Sequence, residues 1–538
     1  MLFWLVFLPL LGGLIGGGLS LLPQKLCQQC DQSLSDQSQS RNRFWQKIKD
    51  EYICFSPMWF AFMTILVTFI ISVILACDAH IAYGQGKTWE EIIDIEWIPL
   101  LGIHFHLVLD GFSLLMTMLT TLVVSIAILY SRKERHSSPI LFYLCILFMT
   151  SAVIALFTAK DLFLLFFLWE AITIPVYFLI TLWGQREPDF ERRFASAGNF
   201  LIYNQIASFF MLISIVSLAL MNWKITNQWT FNYYVLIDTS ISSFVEFFLM
   251  LGFLVAFIVR IPLVPFHRWF IDTHITSSTT GSIIISSLLV NSAIYCILQF
   301  AIPMFPNASV AIMPVMLALT LITLFYTAFI TFSQNDITKL IAYAHIALMS
   351  FITAIIYAGT GLSYYGVVLQ IIAVTLTMVG LFIISGLLVE YYGTRDIRKV
   401  SSLKNSVKHL SFLTLFFILA IIGVPGTVNF TGNLMMLFGS YESSFIYTVF
   451  LVIGLFMLSI SIIIRIQPIF YGAKKSAQVN SKRVSFYDLL LLIIILCVLF
   501  AIGLYPQWVI DMSAPVVNKI QQIIVSTQAE LVKGDIQQ

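Results

Sequence analysis

Residues 244–266 read FVEFFLMLGFLVAFIVRIPLVPF, an apolar run that carries two ionisable residues, Glu246 and Arg260, and ends in two prolines. A helix that crosses a bilayer needs roughly 20 predominantly apolar residues, so this run predicts a transmembrane helix. Proline removes a backbone donor and clashes with the preceding turn, so the helix should open near Pro262. The stretch therefore predicts a membrane protein with an interrupted helix.

Similar runs recur along the chain, which is 59% hydrophobic and 10% charged, with a mean hydropathy of +0.93. So much apolar surface needs lipid as its solvent. We place fourteen spans near residues 1–21, 58–77, 107–130, 138–157, 160–182, 198–221, 244–266, 280–300, 309–331, 338–358, 364–390, 410–437, 446–468 and 486–505. They lack the ~10-residue alternation of a membrane β-barrel, so we predict an all-α polytopic membrane protein with about 14 transmembrane helices.

The basic residues predict the orientation. Loops after odd-numbered spans hold 22 of the 29 Lys and Arg residues, and the opposite loops with the C-terminal tail hold 5. Under the positive-inside rule this asymmetry places both termini on the outer side of the membrane, which requires an even number of crossings. The first span has no basic residue ahead of its apolar run, so we expect it to be retained rather than cleaved as a signal peptide.

Several function classes are disfavoured. A net charge of +2 and the lack of any base-reading module argue against nucleic acid as a partner. No phosphate loop, zincin helix or nucleophile elbow is found. Cys27 and Cys30 have metal-ligand spacing but no second pair, so we predict neither a metal nor a bound cofactor.

A second interrupted span suggests internal symmetry. Span 12 contains Gly423-Val424-Pro425-Gly426, five spans after the break in span 7. Five crossings are an odd number, so spans 4–8 and 9–13 would be inverted copies, and paired broken helices are the usual sign of a transport site. Two unrelated proline kinks remain the alternative. We assign residues 1–137 to helices 1–3, 138–300 to the first repeat, 301–470 to the second, inverted repeat, and 471–538 to helix 14 and an amphipathic tail.

Several motifs then resemble one family. They are Leu168-Trp169-Glu170-Ala171 with Pro175, Pro262-Leu263-Val264-Pro265-Phe266-His267 with Trp269 and Asp272, Leu340-Ile341-Ala342-Tyr343, Gly423-Val424-Pro425-Gly426, Thr230-Phe231-Asn232-Tyr233 and Phe305-Pro306-Asn307-Ala308-Ser309. Together they are similar to the chain M subunits of bacterial complex I, the NADH:quinone oxidoreductase. These subunits belong to a wider antiporter-like group shared with multi-subunit sodium/proton antiporters and membrane-bound hydrogenases. The resemblance implies a place in a proton-pumping membrane arm, beside neighbouring antiporter-like chains and lipid, with no redox cofactor in this chain.

The family's proton relay of buried ionisable residues is only partly present. The glutamate of span 5 is Glu170, but Arg260 stands where the family has a lysine, and arginine does not deprotonate in proteins. Five further relay positions are replaced: lysines by Asn199 and Asn291, histidines by Leu348 and Val374, and a glutamate by Asn433. Asparagine orients water but cannot store a charge, so we hypothesise that this chain's own channel is impaired.

Five residues are our candidates for the site. Glu170, coupled to Arg260 and to an adjacent subunit, is the first, and a purely structural ion pair of the two is the alternative. His345 shares a helical face with Leu348 and is a candidate substitute for the missing histidine, or a satisfied polar group near the span's end. His267 and His274 follow the first break and are candidates to gate proton access, or simply to cap a helix. Asp110, His104 and His106 lie at the outer boundary and receive no role.

Three functions remain open. The first is a proton-translocating membrane-arm subunit of NADH:quinone oxidoreductase in the bacterial inner membrane. The second is a non-conducting structural subunit of the same arm, and the third is an antiporter-type subunit of another ion-transport assembly. The motifs favour the first two, and the replaced relay positions favour the second over the first.

Overall fold

The computed structural model describes residues 1–33, 39–134, 136–185, 190–400, 408–471 and 484–537, with side chains described except at 18–56, 471 and 528–537. Cys27 and Cys30 therefore lie outside the described side chains. Twelve helices in the described part are long and apolar enough to cross a bilayer, and two shorter apolar helices are Leu2–Gly17 and Lys408–Ile422. Together they give the predicted fourteen, so the all-α polytopic fold is confirmed.

The helices follow one another in antiparallel crossings. In chain order they are α1 (Leu2–Ser33), α2 (Gln39–Gly84), α3 (Gly111–Ser131), α4 (Pro139–Thr158), α5 (Leu162–Trp183), α6 (Phe190–Thr226), α7 (Tyr233–Leu236), α8 (Ser243–Arg260), α9 (Arg268–Thr276), α10 (Thr279–Met304), α11 (Pro306–Ser333), α12 (Ile337–Ala358), α13 (Gly361–Tyr392), α14 (Lys408–Ile422), α15 (Val428–Ser443), α16 (Phe445–Tyr471), α17 (Phe486–Leu504) and α18 (Gln507–Gln537). The predicted amphipathic tail is α18, with Val517 and Ile520 buried against the rest of the molecule.

A β-hairpin precedes the third span. Strands β1 (Glu91–Ile98) and β2 (Ile103–Leu109) pair antiparallel, with Glu91 opposite Leu109. The predicted start of span 3 at residue 107 is wrong, because residues 107–109 belong to β2. The apolar end of this strand continues into the apolar run of α3 without a change in composition, so the sequence does not separate the two. The helix begins only after Asp110, whose carboxylate accepts a hydrogen bond from Ser113 N at 2.8 Å and so caps it.

Two central helices form the core of the bundle. Every residue of the most apolar stretches of α10 and α13 is buried, whereas only 33% and 28% of those of α16 and α17 are buried. Helix α15 approaches α13 closely because it carries glycine at the contacts: a Cβ at Gly432 would lie 2.6 Å from Gln370 Oε1, and one at Gly439 2.6 Å from Ser363 N. Small residues are the usual means of close helix packing in membranes. The contact between α13 and α15 is therefore tight and includes polar side chains.

Both predicted breaks are present. Helix α8 ends at Arg260 and α9 starts at Arg268, and α14 ends at Ile422 before α15 starts at Val428. At the second break Gly423 and Gly426 have φ of 86° and 96°, a left-handed conformation that only glycine adopts without strain. Irregular backbone at this depth is tolerated only where it is buried in protein or lines a wet cavity.

A short backbone motif occurs once in each half of the chain. Ahead of α5, Leu162 N donates to Phe231 O at 2.9 Å and Tyr233 N donates to Lys160 O at 2.8 Å. Ahead of α12, five crossings later, Ile337 N donates to Arg395 O at 3.1 Å and Ile397 N donates to Asn335 O at 2.8 Å.

The same two helices are also capped alike. Asp161 accepts from Phe163 N and Leu164 N, and Asp336 accepts from Thr338 N and Lys339 N. Because crossings alternate in direction, an odd number between the two motifs places them at opposite ends of the bundle. This is the geometry of an inverted repeat, and only the residue boundaries of the two repeats stay a prediction.

Candidate functional site

Arg260 ends the first half of the broken span 7 and is fully buried. Its Nη2 donates to Trp169 O and to Thr173 Oγ1, both at 3.2 Å, and the guanidinium carbon lies 3.5 Å from the centroid of the Trp169 ring. Nε and Nη1 have no hydrogen-bond partner within the described part of the chain. A buried cation without those two bonds indicates water beside the guanidinium.

Glu170 is one residue from Trp169 on α5, yet it does not reach Arg260. Among the described residues no carboxylate lies within 4.0 Å of the guanidinium, so the ion pair considered from the sequence is not formed. Glu170 is half-buried and points toward the outer surface of α5, where Phe167 and Ile174 are exposed. Glu170 therefore shares a face of α5 with exposed residues, while its charge still acts on Arg260 without a direct contact.

Between the two breaks, polar side chains bridge the central helices. Asn291 on α10 donates through Nδ2 to Thr375 Oγ1 on α13 at 2.7 Å. Asn291 Oδ1 and Gln370 Oε1 are buried and accept no hydrogen bond from any described residue. Gln370 and Thr375 were missed in the sequence because neutral polar residues within an apolar run carry no signal of their own.

The second break is lined by two asparagines. Asn429 donates through Nδ2 to Thr377 Oγ1 at 3.0 Å and to Ala420 O at 2.6 Å, a carbonyl near the end of α14 that also accepts from Gly423 N. Asn433 lies at Gly423, where an added Cβ would be 3.1 Å from its Nδ2. The Oδ1 atoms of both asparagines are buried without partners within the described structure. Water is the remaining partner for acceptors of this kind.

Two histidines lie between the breaks. His274 on α9 and His345 on α12 are fully buried and flank the Phe270 ring, with ring centroids 4.3 Å and 5.4 Å from it. All four ring nitrogens lack hydrogen-bond partners in the described part of the protein. The described residues supply no partner for His345, and both interpretations of this histidine stay predictions.

A cavity of about 600 Å³ opens at the end of the bundle that carries the basic loops and is lined by Glu134, His136, Ser385 and Phe382. Thr280 N donates to the Glu134 carboxylate at 3.1 Å, and burial raises the pKa of Glu134. His274 stacks on Phe382, with ring centroids 4.7 Å apart. A residue that lines the cavity is therefore in contact with His274.

The remaining predicted positions divide into three groups. His267 is at the first residue before α9, makes no capping bond, and has its ring against Tyr326 and Tyr343. Leu348 and Val374 are buried apolar residues of the core. Asn199 is exposed on α6 and lines a separate cavity of about 170 Å³ with Arg192, Arg268 and Asp272, so the structure does not bring it to the central residues.

These features define the class of protein. The family model described as NADH:quinone oxidoreductase/Mrp antiporter, transmembrane, matches residues 159–459. That range contains both broken helices and all five candidate residues, and it covers more than half of the chain. The chain belongs to this family.

Two relatives in sequence are both named as subunit M of NADH-quinone oxidoreductase. It is 37% identical to NADH-quinone oxidoreductase subunit M of Escherichia coli (strain K12), over 97% of this chain and 98% of that protein. It is also 37% identical to NADH-quinone oxidoreductase subunit M of Pseudomonas aeruginosa, over 87% of this chain and 92% of that protein.

Solved structures support the fold. A chain of respiratory complex I from Thermus thermophilus superposes with a TM-score of 0.80 at 21% identity, covering 97% of this chain and 100% of that chain. A chain of the Mrp complex from Dietzia sp. superposes with a TM-score of 0.75 at 15% identity, covering 98% of this chain and 99% of that chain. At these identities the likeness establishes the architecture alone.

Proposed function

We propose that this chain is a membrane-arm subunit of a proton-translocating NADH:quinone oxidoreductase, which couples quinone reduction elsewhere in the complex to proton transfer. It carries no redox cofactor itself, and its partners are the other membrane subunits, including neighbouring antiporter-like chains. The extended identity to subunit M proteins supports this assignment. The bacterial subunit M relatives support the bacterial inner membrane, and the basic loops favour both termini on its outer side.

One observation carries the transport role. Within the described residues, Arg260, Asn291, Gln370, Asn429 and Asn433 each have a buried polar atom without a hydrogen-bond partner. An unpaired buried polar group costs roughly 1–3 kcal/mol, so these atoms favour bound water. Water held by these residues is the medium that would carry protons between the two breaks.

The residues along this path have different roles. Arg260 is a fixed positive charge that orients water and excludes other cations, because a guanidinium does not release its proton. His274 and His345 are the titratable side chains beside the path, and His274 meets the inner cavity at Phe382. Asn291 and Asn433 hold water but store no charge. The path is therefore built to conduct poorly, which is the impaired channel inferred from the sequence.

A second candidate is a non-conducting structural subunit of the same arm. The specific observation in its favour is the surroundings of Arg260. Its guanidinium lies over the Trp169 ring and donates to the Thr173 hydroxyl, and both contacts stabilise a permanent charge. A group held in this way fixes α8 against α5 without any proton transfer. The third candidate, an antiporter-type subunit of another assembly, has only fold-level likeness in its support.

The test is the number of protons pumped per NADH oxidised in inverted membrane vesicles. Complex I assembled with this chain is compared with complex assembled with a restored chain, Arg260→Lys, Asn291→Lys and Asn433→Glu, which returns titratable groups to the path. We expect the restored chain to raise the proton yield at similar NADH oxidation, because each new group can both bind and release a proton.

Gln467→Lys supplies a matched control. It adds a lysine at an exposed position of α16 to which no role is assigned, so it should leave the yield unchanged. An increase with Gln467→Lys alone would show that an added charge acts nonspecifically. Equal yields in the natural and restored chains, both at full pumping, would contradict the impaired channel, and equal low yields would favour the structural subunit.

A further inference from the structure

A lysine is buried at the end of the bundle opposite the basic loops. Lys160 lies between α4 and α5, and its side chain is only 2% exposed. Its Nζ is 3.5 Å from Asp110 Oδ2, and the rings of Tyr233 and Phe300 lie 5.8 Å and 5.7 Å from it. A carboxylate and two aromatic faces together stabilise an ammonium group that is removed from bulk water.

A line of polar residues on α10 connects this lysine to the centre of the molecule. Asn291, Tyr295 and Gln299 are spaced four apart, so they share one face of the helix over roughly 12 Å. Tyr295 OH donates to Phe157 O at the end of α4, and Gln299 Nε2 donates to Asp110 Oδ2 at 3.4 Å. Asn291 Oδ1 and Gln299 Oε1 lack partners among the described residues, which leaves both for water.

The helix is also irregular along this line. Residues Ile285–Leu289 and Ile297–Ala301 are π-helical, and they flank Asn291 and Tyr295, with Gln299 inside the second segment. Widened turns of this kind are rare and occur mostly at functional sites. The polar face of α10 therefore combines water-accepting side chains with an unusual backbone.

The fold does not require a lysine at this position. In the second repeat the residue whose carbonyl accepts the corresponding backbone hydrogen bond is Asn335, which makes the motif ahead of α12 without a buried cation. The cap of α5 likewise depends on Asp161 and not on Lys160. The ammonium group therefore needs an explanation other than local backbone structure.

We infer that Lys160, held by Asp110, is the outer proton-release site of this chain and receives protons along the Asn291, Tyr295 and Gln299 face of α10. This inference rests on the proposed function. A proton that arrives through water adds to the neutral amine of Lys160 and forms an N–H bond. The ammonium then releases a proton to water at the outer face and returns to the neutral amine.

The surroundings favour release. Burial lowers the pKa of Lys160, and the nearby Asp110 opposes that shift without removing it. The Asp110 side chain is 12% exposed and touches the outer surface, so the pair links the buried face of α10 to solvent. Lys519 on α18 lies at the same Tyr233 ring, 5.6 Å from its centroid, but is exposed.

The experiment replaces Lys160 in both the natural and the restored chain and measures protons pumped per NADH in inverted vesicles. Lys160→Arg keeps the charge and the ion pair but cannot release a proton, whereas Lys160→Gln removes both. We expect both variants to lower the yield to a similar extent, with the amount of assembled complex checked by native electrophoresis. Lys519→Arg is the matched control and should leave the yield unchanged.

Different results separate the two proposals. A normal yield with Lys160→Arg together with loss of assembled complex in Lys160→Gln would overturn the release site, because the lysine would then be a structural charge. Glu170→Gln, measured in parallel, tests the proposed function alone. If Glu170→Gln lowers the yield and Lys160→Arg does not, only the release site fails; if neither changes it in either chain, both proposals fail.

Discussion

Among the described residues, Asn291 and Gln370 each have a buried oxygen atom without a hydrogen-bond partner, and Arg260 has two such nitrogens. Each of these groups can hydrogen-bond water, but none of them changes charge when a proton passes. The difference between a hydrated path and a proton relay therefore lies in single side chains. In this chain the titratable groups along the path are His274 and His345. These two histidines would therefore have to hold the charge of a transferred proton.

The two histidines should be required for pumping. We expect His274→Gln and His345→Gln each to lower the protons pumped per NADH, because glutamine retains the volume and polarity but cannot be protonated. His104→Gln is the matched control, since His104 is on the outer hairpin with its Nδ1 2.9 Å from Asp94 Oδ1. A full proton yield in the double variant His274→Gln and His345→Gln would show that water alone conducts.

At the scale of elements, the second break depends on glycine. Gly426 has a φ of 96°, and an added Cβ would lie 3.2 Å from Phe500 Cε1 of α17. We expect Gly426→Ala to destabilise the protein by about 1–2 kcal/mol, because an L-residue pays this in the left-handed region.

The measurement for Gly426→Ala is the thermal midpoint of the detergent-solubilised complex. Gly198→Ala in α6 is the control, as nothing lies within 4 Å of its added Cβ and alanine favours a helix by about 0.5–1 kcal/mol. Gly426→Ala should lower the midpoint and Gly198→Ala should not. The same midpoint for both variants would mean that the break relaxes into an ordinary turn.

The elements were largely predictable, since length and apolarity alone define a membrane helix and Pro262 and Pro425 marked the breaks. The hairpin was not, because Leu107, Val108 and Leu109 are as apolar in a strand as in a helix. Thr375 shows why part of the site was missed. Its hydroxyl donates to Ile371 O, a carbonyl of its own helix. Thr327 and Thr331 make the same kind of bond within α11. Nothing in the sequence shows that Thr375, unlike these two, also accepts a hydrogen bond from Asn291.

At the scale of the whole molecule, Glu170 indicates where a neighbouring subunit binds. Its carboxylate makes no hydrogen bond to any described residue, and it lies on a face of α5 with Phe167 and Phe178 exposed. An ionised side chain in lipid costs roughly 2.5–3.5 kcal/mol, so this face should be covered by protein in the assembled arm. The face of α11 near Ile322 is equally apolar but has no acidic or basic residue between Pro306 and Ser333, and lipid can cover it without cost.

Two isoleucines of matched exposure test this arrangement. Ile174 on α5 is 57% exposed and Ile322 on α11 is 59% exposed. In membranes that contain the assembled complex, we expect Ile174→Cys, labelled with a photoactivatable maleimide, to form cross-links to another membrane subunit on illumination, because protein lies within its reach. Ile322→Cys, labelled in the same way, should form no cross-link to protein. Cross-linking from Ile322→Cys but not from Ile174→Cys would place the neighbour on α11 and leave Glu170 facing lipid, which would remove its coupling to an adjacent chain.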